Sequence, residues 1–315
     1  MARKNYDEWV PEEFDSAVIH KVNAVSAVEA YGKPHPMSTQ TKSVPRSAGM
    51  SVGMIAKGGA YGEDTSAADE VVLHAQKFGQ AIRIAEEDLD DSLADVIAAG
   101  QIDWATAYAK TFDNACLAVT AAKGTSGCAF DSLYYLLTQN NSDTGYVANS
   151  NLTKTGTGGV TYDALSEALG LVETGDYFDE AQMIVIAHPS FRQILREIRN
   201  DNGDPIFNES TNGTAGGGQG ATSATLFGHP VHWSLGAKTS AAPTDKPTGN
   251  PLLVFANRDY LLRGDRSGVE SVFIDGRSGL AALTDEAILK MRARKAFAPG
   301  VEQAFAILED DTPAA

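Results

Sequence analysis

One segment constrains this chain more than any other: residues 86–122 carry apolar side chains at helical spacing over about ten turns. The recurring positions are Leu89, Leu93, Val96, Ile97, Gly100, Trp104, Ala107, Tyr108, Thr111, Ala115 and Val119. Acidic side chains from Glu86 to Asp91 suit the positive end of a helix dipole, and Gly124 suits its end. The pattern predicts a helix over Glu86–Ala122, roughly 50 Å long at about 1.5 Å per residue.

The C-terminal part of the chain reads as strands. Leu289–Leu308, LKMRARKAFAPGVEQAFAIL, joins a basic strand to an apolar strand that closes on Ala304 and Phe305. After Gly264 the predicted strands are Val269–Ile274, Asp285–Arg294 and Val301–Leu308. A helix of this length beside long strands predicts an α+β fold built as a rigid tile.

A Gly-rich segment precedes the long helix. Ser, Thr, Gly and Ala dominate Met37–Asp69, and loops of this length are usually functional or mobile. Because Val52, Met54 and Ile55 interrupt it, we predict a two-stranded arm that projects from the body. Glu70–Ala85 alternates well enough to predict a strand.

The remaining elements are assigned from periodicity and turn chemistry. Pro11–Val22 is predicted to be a short helix, and Gly124–Gly264 a separate domain. Within that domain we predict helices over Tyr162–Gly175 and beyond His188-Pro189, strands over Gln182–Ala187, Pro230–Ser234 and Leu252–Ala256, and a flexible loop over Asn208–Ser223.

The charge balance limits the functions open to the chain. Its net charge of −16 excludes a general phosphate-binding role, which requires clustered Lys and Arg. An acidic protein can enclose nucleic acid without adhering to it, or the charge can simply serve solubility. Two cysteines make no disulfide framework and indicate a reducing compartment. No apolar run reaches the roughly 18 residues of a membrane span.

A basic set stands out in so acidic a chain. Its members are Arg258, Arg263, Arg266, Arg277, Lys290, Arg292, Arg294 and Lys295. Alternating charges on a strand can be a solvated face. They can also meet acidic groups of a neighbouring copy and set its register. The segregation of charge along the chain favours the second interpretation.

Each candidate catalytic motif is better explained by an ordinary structural role of its residues. Gly216–Gly220 lacks the Lys and Ser/Thr of a phosphate-binding loop, and Ser126 lacks the spacing of a nucleophile elbow. His229 and His232 come without the further ligands of a zinc site. We therefore predict no catalytic, cofactor-binding or metal site, and no cofactor.

Several segments, taken in order, resemble a known family. VPEEFDSAVIHKV is similar to an N-terminal arm, Met37–Asp69 to an extended loop, and VVLHAQKFGQAIRIAEEDLDDSLAD to a strand entering a spine helix. MIVIAHPSFRQILREIRNDNGDPIF, ATLFGHPVHWS, FANRDYLLRGDRSGVESVF and RARKAFAPGVEQAFAIL resemble the strands and helix that follow. Together they resemble the major capsid protein of tailed bacteriophages, with the Hong Kong 97-type shell fold.

The resemblance implies a domain plan. Residues 1–36 would form the N-arm and first strand, and residues 37–69 the extended loop. Residues 70–123 and 265–300 would form a peripheral domain with the spine helix over 86–122. Residues 124–264 and 301–312 would form an axial domain around the symmetry axes of the capsomer.

The function implied is structural and not enzymatic. Copies would assemble through arm, loop and charge contacts into pentamers and hexamers of an icosahedral shell enclosing double-stranded DNA without sequence-specific contact. The shell would be assembled in the host cytoplasm, away from any membrane, and become the virion capsid. The expected inter-subunit residues are Val52, Met54, Ile55, Lys57, Glu86, Glu87, Asp90, Asp91, Arg263, Arg266, Lys290, Arg292 and Arg294.

Two departures from the family pattern refine the expectation. The arm begins within about ten residues of Met1, so scaffolding is expected from a separate protein, beside portal and decoration proteins. Lys57 stands in the loop where some relatives form an isopeptide bond, but no Asn follows Asn257. We therefore expect no covalent crosslinks.

Three alternatives stay open. An encapsulin-type nanocompartment shell would share the fold. A soluble enzyme with scattered catalytic residues would be a compact monomer or small oligomer with a conventional pocket. A surface adhesin or tail-fibre protein would be β-repetitive, which a single long helix disfavours.

Overall fold

The computed structural model describes residues 25–47, 49, 52–61, 63, 69–85, 87, 96–198, 225–274 and 286–312. The helix predicted over Pro11–Val22 and the loop Asn208–Ser223 lie outside these ranges, as do Glu86, Asp90, Asp91 and Arg277. The described helices are α1 (Ala27–Tyr31), α2 (Val96–Leu117), α3 (Leu133–Leu137), α4 (Tyr162–Glu173) and α5 (Phe191–Glu197).

The described strands form three sheets. They are β1 (Lys33–Pro36), β2 (Thr41–Arg46), β3 (Asp69–His74), β4 (Gln76–Ala85), β5 (Leu152–Lys154), β6 (Met183–Ala187), β7 (Thr225–Leu226), β8 (His229–Trp233), β9 (Leu252–Asn257), β10 (Leu261–Ile274), β11 (Glu286–Pro299) and β12 (Phe305–Glu309). The sheet orders are β1-β10-β11-β4, β5-β12-β9-β6-β8-β7 and β2-β3. Helices and mixed sheets in one chain confirm the predicted α+β class.

The chain divides into two compact units. One includes Gly79–Thr106 and Glu270–Arg292, and the other includes Ala24–Phe78, Ala107–Val269 and Ala293–Ala315. The domain boundaries predicted from the sequence do not coincide with this division, and they stay predictions.

The core of the larger unit is the six-stranded sheet with its helices. Every residue of β6, β9 and β12 is buried, which explains why these strands read as continuous apolar runs. The sheet is mixed, since β9 runs antiparallel to β6 and β12 while β8 runs parallel to β6. Helix α4 packs Leu165, Leu169 and Val172 into this core, as its spacing predicts.

The long helix ends earlier than the sequence predicts. Helix α2 spans Val96–Leu117 in the described residues, and its predicted start at Glu86 lies outside them. The predicted end at Ala122 is wrong. Val119 forms a β-bridge with Ser240, and the backbone of Ala118 and Thr120 hydrogen-bonds to Ser240 at 3.2 and 2.9 Å. These bonds replace the helical ones, so the chain leaves the helix despite its continuing apolar spacing.

The strand predicted over Glu70–Ala85 is two strands. Buried Ala75 separates β3 from β4, and its N–H donates to the carbonyl of Gln40 at 2.8 Å. Strand β3 pairs antiparallel with β2 from Thr41↔His74 to Arg46↔Asp69. Strand β2 therefore lies near the start of the Gly-rich segment Met37–Asp69, while its partner β3 begins at the last residue of that segment and continues beyond it.

The C-terminal strands are longer than predicted in two cases and shorter in one. Strand β10 begins at Leu261, before the predicted start. Strand β11 continues to Pro299, beyond the point at Lys295–Phe297 where the alternation of apolar residues stops. Val301 does not begin a strand: a 3-10 turn over Glu302–Ala304 precedes β12.

Strand β11 separates two kinds of side chain. Along Glu286–Arg294 the even-numbered residues are partly exposed, and the odd-numbered ones, Ala287, Leu289, Met291 and Ala293, are buried. The period of two places Lys290, Arg292 and Arg294 on one face. One face of the strand is therefore apolar and the other basic.

Candidate assembly surfaces

The loop between β2 and β3 exposes large apolar side chains. Val52 is 93% exposed, Tyr61 87% exposed and Met54 fully exposed, and Ile55 lies between them in the chain. A Cβ added at Gly53 would meet no atom within 4 Å, so the surrounding space is open. Exposed apolar side chains concentrated on one short segment make this loop a candidate interaction surface.

The base of this loop is firmly held. Arg46 pairs with Asp69 across the two strands and donates to the carbonyl of Gly300 at 2.9 Å. Hydrogen bonds from the backbone of Glu70 and from Arg46 hold the pKa of Asp69 below its usual range. Buried Met37, Leu73, Ala75, Leu262 and Ala296 pack together beneath the strands. The apolar loop is therefore displayed from a fixed base.

A cleft of about 240 Å³ lies beside the same base. Phe130 and Phe297 line it together with carboxylates, among them Asp69 and Glu302. Both carboxylates already have partners, Arg46 for Asp69 and Asn141 at 2.8 Å for Glu302. The cleft is smaller than the roughly 300–1,000 Å³ typical of ligand pockets.

Arg263 and Lys295 of the basic set belong to a network inside the chain. Lys295 contacts Glu29 at 3.0 Å and Asp265 at 2.8 Å, and Arg263 contacts Asp265 at 2.9 Å. The hydroxyl of Tyr108 donates to Glu29 at 3.0 Å, and its pKa is raised by burial and by that carboxylate. The network ties α1, α2, β10 and β11 together, while the expected role of Arg263 between copies stays a prediction.

The other expected charges differ in their surroundings. Arg292 contacts Glu270 at 2.8 and 2.9 Å on a half-exposed surface. In the described part of the chain, Arg266, Lys290 and Arg294 form no ion pair. Glu87 is exposed, and the rest of the acidic run lies outside the described residues.

Sequence reasoning missed a buried carboxylate on α2. Asp113 accepts hydrogen bonds from the hydroxyls of Ser26 and Ser234 at 2.5 and 2.6 Å, and from the backbone N–H groups of Ala27 and Val28 at 2.9 and 3.1 Å. Burial raises the pKa of Asp113, and the four donors oppose that rise. The carboxylate joins the start of α1 and the turn after β8 to the long helix.

The next residue, Asn114, holds a second loop. Its amide donates to the carbonyls of Gly236 and Lys238 at 3.0 and 2.8 Å, and its oxygen accepts from Ser240 and Thr244 at 2.7 and 3.2 Å. All four bonding positions of the amide are used. The only signal for this junction in the sequence was the adjacent polar pair Asp113-Asn114 between the apolar residues Phe112 and Ala115.

The histidines occupy ordinary structural positions. His229 is buried with its ring against Phe178, and His232 contacts the ring of Tyr31. Across the described ranges, no three His, Cys, Asp or Glu residues are grouped to hold a metal ion.

His188 is expected to make stability depend on pH. Its Nδ1 accepts a hydrogen bond from the backbone of Ser190 at 3.2 Å, and burial with nearby Lys238 lowers its pKa from 6.5 to about 4. Between these values the unfolded chain binds a proton that the folded chain does not. The free energy of unfolding of the unassembled subunit should therefore fall as the pH falls through this window.

Urea unfolding of wild type and His188→Asn at several pH values tests this. Asn can still accept from the backbone of Ser190 but does not titrate. The variant should lose less stability between pH 6.5 and 4 than wild type. Equal losses would show that His188 has an ordinary pKa.

A family model and several solved structures match this chain over nearly its whole length. A family model described as the phage capsid family matches residues 9–310. A solved chain from Mycobacterium phage Bobi has a TM-score of 0.73 at 16% identity, covering 97% of each chain, and one from Microbacterium phage Oxtober96 has 0.71 at 16%, covering 96% and 97%. The capsid of a native GTA particle, computed with C5 symmetry, has 0.70 at 14%, covering 96% of each.

Two further findings complete the comparison. No curated protein matches the sequence significantly. Within the described residues, no helix has both the length and the apolar character needed to cross a membrane.

Proposed function

Because this chain belongs to the phage capsid family, we propose that its copies assemble into an icosahedral shell enclosing double-stranded DNA. It is a structural major capsid protein with the Hong Kong 97-type fold. The observation that carries the proposal is the family match over residues 9–310, nearly the whole chain. The exposed apolar loop supplies a contact suited to a neighbouring copy.

The loop is the first element of the assembly mechanism. Val52, Met54 and Ile55 would be covered by a neighbouring copy, and full burial of each such side chain contributes about 1.5–3 kcal/mol. Ordering the loop offsets part of this gain. Each contact is therefore modest, and the closed shell is stabilised by many of them.

The second element is a larger unit whose segments are firmly connected to one another. The network around Lys295 and the junction at Asp113 and Asn114 bind separate segments to the long helix. Arg266, Lys290 and Arg294 then supply positive charges that set the register between copies.

The shell defines the partners. Copies would form pentamers and hexamers, and one structural relative is a capsid computed with C5 symmetry. A separate scaffolding protein, a portal and decoration proteins complete the proposed particle. The net charge of −16 supports packaging of DNA without sequence-specific contact.

Negative-stain electron microscopy with light scattering tests the proposal. The overexpressed protein should form closed shells, or rings of five and six copies. Native particles should absorb as nucleic acid, which distinguishes a viral capsid from a shell around enzymes. A uniform small oligomer that ignores concentration, salt and a co-expressed scaffold would contradict the proposal.

Mature shells should contain no covalent crosslinks between subunits. Lys57 lies in the exposed loop, but the chain has no Asn after Asn257 to form the isopeptide bond. Boiling shells in detergent should give one band at the subunit mass of 33.3 kDa. A ladder of multimers on the gel would overturn this prediction.

A further inference from the structure

Two arginines oppose each other on one face of the β10–β11 pair. Lys295 contacts Asp265 at 2.8 Å, and a Cβ built at Gly264 would lie 2.8 Å from that of Ala296. As β10 and β11 are neighbours in the sheet, these contacts set an antiparallel register that places Arg266 opposite Arg294. Side chains directly opposite have Cβ atoms about 4.5–5.5 Å apart.

Two more basic side chains lie near this pair. His35 pairs with Gly264 in β1 and so shares the face. Lys42 donates to the carbonyl of Pro36 at 2.9 Å. Burial lowers the pKa of His35, and the nearby charges of Lys42 and Lys33 lower it further. We call Lys42, Arg266 and Arg294 the cationic site, and the uncharged ring of His35 borders it.

The cationic site is not neutralised within the described part of the chain. Asp265 lies on the opposite face, where Arg263 and Lys295 engage it. The Nε of Arg294 and the Nε2 of His35 are buried, and among the described residues neither has a hydrogen-bond partner. Like charges directly opposite on neighbouring strands are destabilising. An anion placed over Arg266 and Arg294 would remove that repulsion.

We propose that the cationic site binds the acidic run Glu86–Asp91 of a second copy of this chain. The run, EEDLDD, carries five carboxylates in six residues, and Glu87 is exposed. Two guanidinium groups suit carboxylates because their donors form a planar fork. Packaged DNA is the less suitable partner, since an acidic chain repels phosphate. The inference rests on the proposed assembly and assigns partners to its charge contact.

A charge exchange within the chain tests the pairing. Arg266→Glu with Arg294→Glu makes the site acidic, and Glu87→Arg with Asp91→Arg makes the run basic. Each double variant should raise the subunit concentration needed for shell formation about tenfold or more. The chain with all four changes has the wild-type net charge and should assemble close to the wild-type concentration. Arg196→Glu with Lys246→Glu, on two exposed residues outside the site, makes the same change of net charge as the arginine variant and should leave assembly unchanged.

Each outcome has a separate meaning. Failure of wild type to form shells contradicts the proposed function itself. If wild type assembles, normal assembly of the arginine variant overturns the pairing, even if that variant packages less DNA. Failure of the four-change chain to recover also overturns it, provided thermal melting shows that the chain is folded. If the reversed chains do not fold, Arg266→Gln with Arg294→Gln should give the same loss of assembly.

Discussion

Deleting residues 49–64 should leave a folded subunit that no longer forms shells. The removed segment carries Val52, Met54, Ile55 and Tyr61, and a Cβ added at Gly49, Gly53 or Gly58 would meet nothing within 4 Å. The β2–β3 pairing and the buried cluster around Leu73 lie outside the deletion. A short Gly/Ser connection should therefore preserve the melting temperature within a few degrees while electron microscopy shows no shells.

Point variants separate the loop's apolar contacts from its length. Val52→Ser with Met54→Ser should also weaken assembly, because two exposed apolar contacts are lost at about 1.5–3 kcal/mol each. Val147→Ser is the matched control, since Val147 is 65% exposed but lies outside the loop. Shells formed by the deleted chain at wild-type concentrations would show that the loop is not an assembly contact.

Asp113→Ala should destabilise the unassembled subunit by about 3–5 kcal/mol. The substitution removes the acceptor of four buried donors, the hydroxyls of Ser26 and Ser234 and two backbone N–H groups at the start of α1. Each unsatisfied buried donor costs about 1–3 kcal/mol, and water that enters the site relieves part of this cost. Urea unfolding monitored by circular dichroism measures the change.

Asp103→Ala is the control on the same helix. Asp103 is exposed, so its replacement should change the free energy of unfolding by about 0.5 kcal/mol or less. Equal effects of the two substitutions would show that the buried carboxylate does not hold the junction.

The sequence predicted elements wherever a single periodicity runs without interruption. Helix α4 and strands β6 and β9 were placed within two residues, because their apolar positions face one core. The end of α2 was misjudged because the backbone of Thr120 bonds to Ser240, a residue 120 positions away. The break at Ala75 likewise depends on a bond to Gln40 that local pattern does not reveal.

The assembly surfaces could be predicted in part. The exposure of Val52 and Met54 could be predicted, because the Gly-rich segment around them has few other apolar residues with which they could form a core. The internal use of Arg263 and Lys295 could not be predicted, because Glu29 and Asp265 reach them only through tertiary packing. The opposition of Arg266 and Arg294 required the register of two strands.

The apolar loop between β2 and β3 bears on how misplaced subunits are removed during assembly of the shell. If the loop is the proposed assembly contact, its fixed base lets it meet a neighbour without refolding of the β2–β3 pair, which favours fast association. Because ordering of the loop offsets part of its apolar gain, a copy held by one such contact would detach before further contacts hold it in a wrong position. The correct arrangement of subunits in the shell would then depend on reversible addition of each copy, and the particle would become stable only when the last copy closes it.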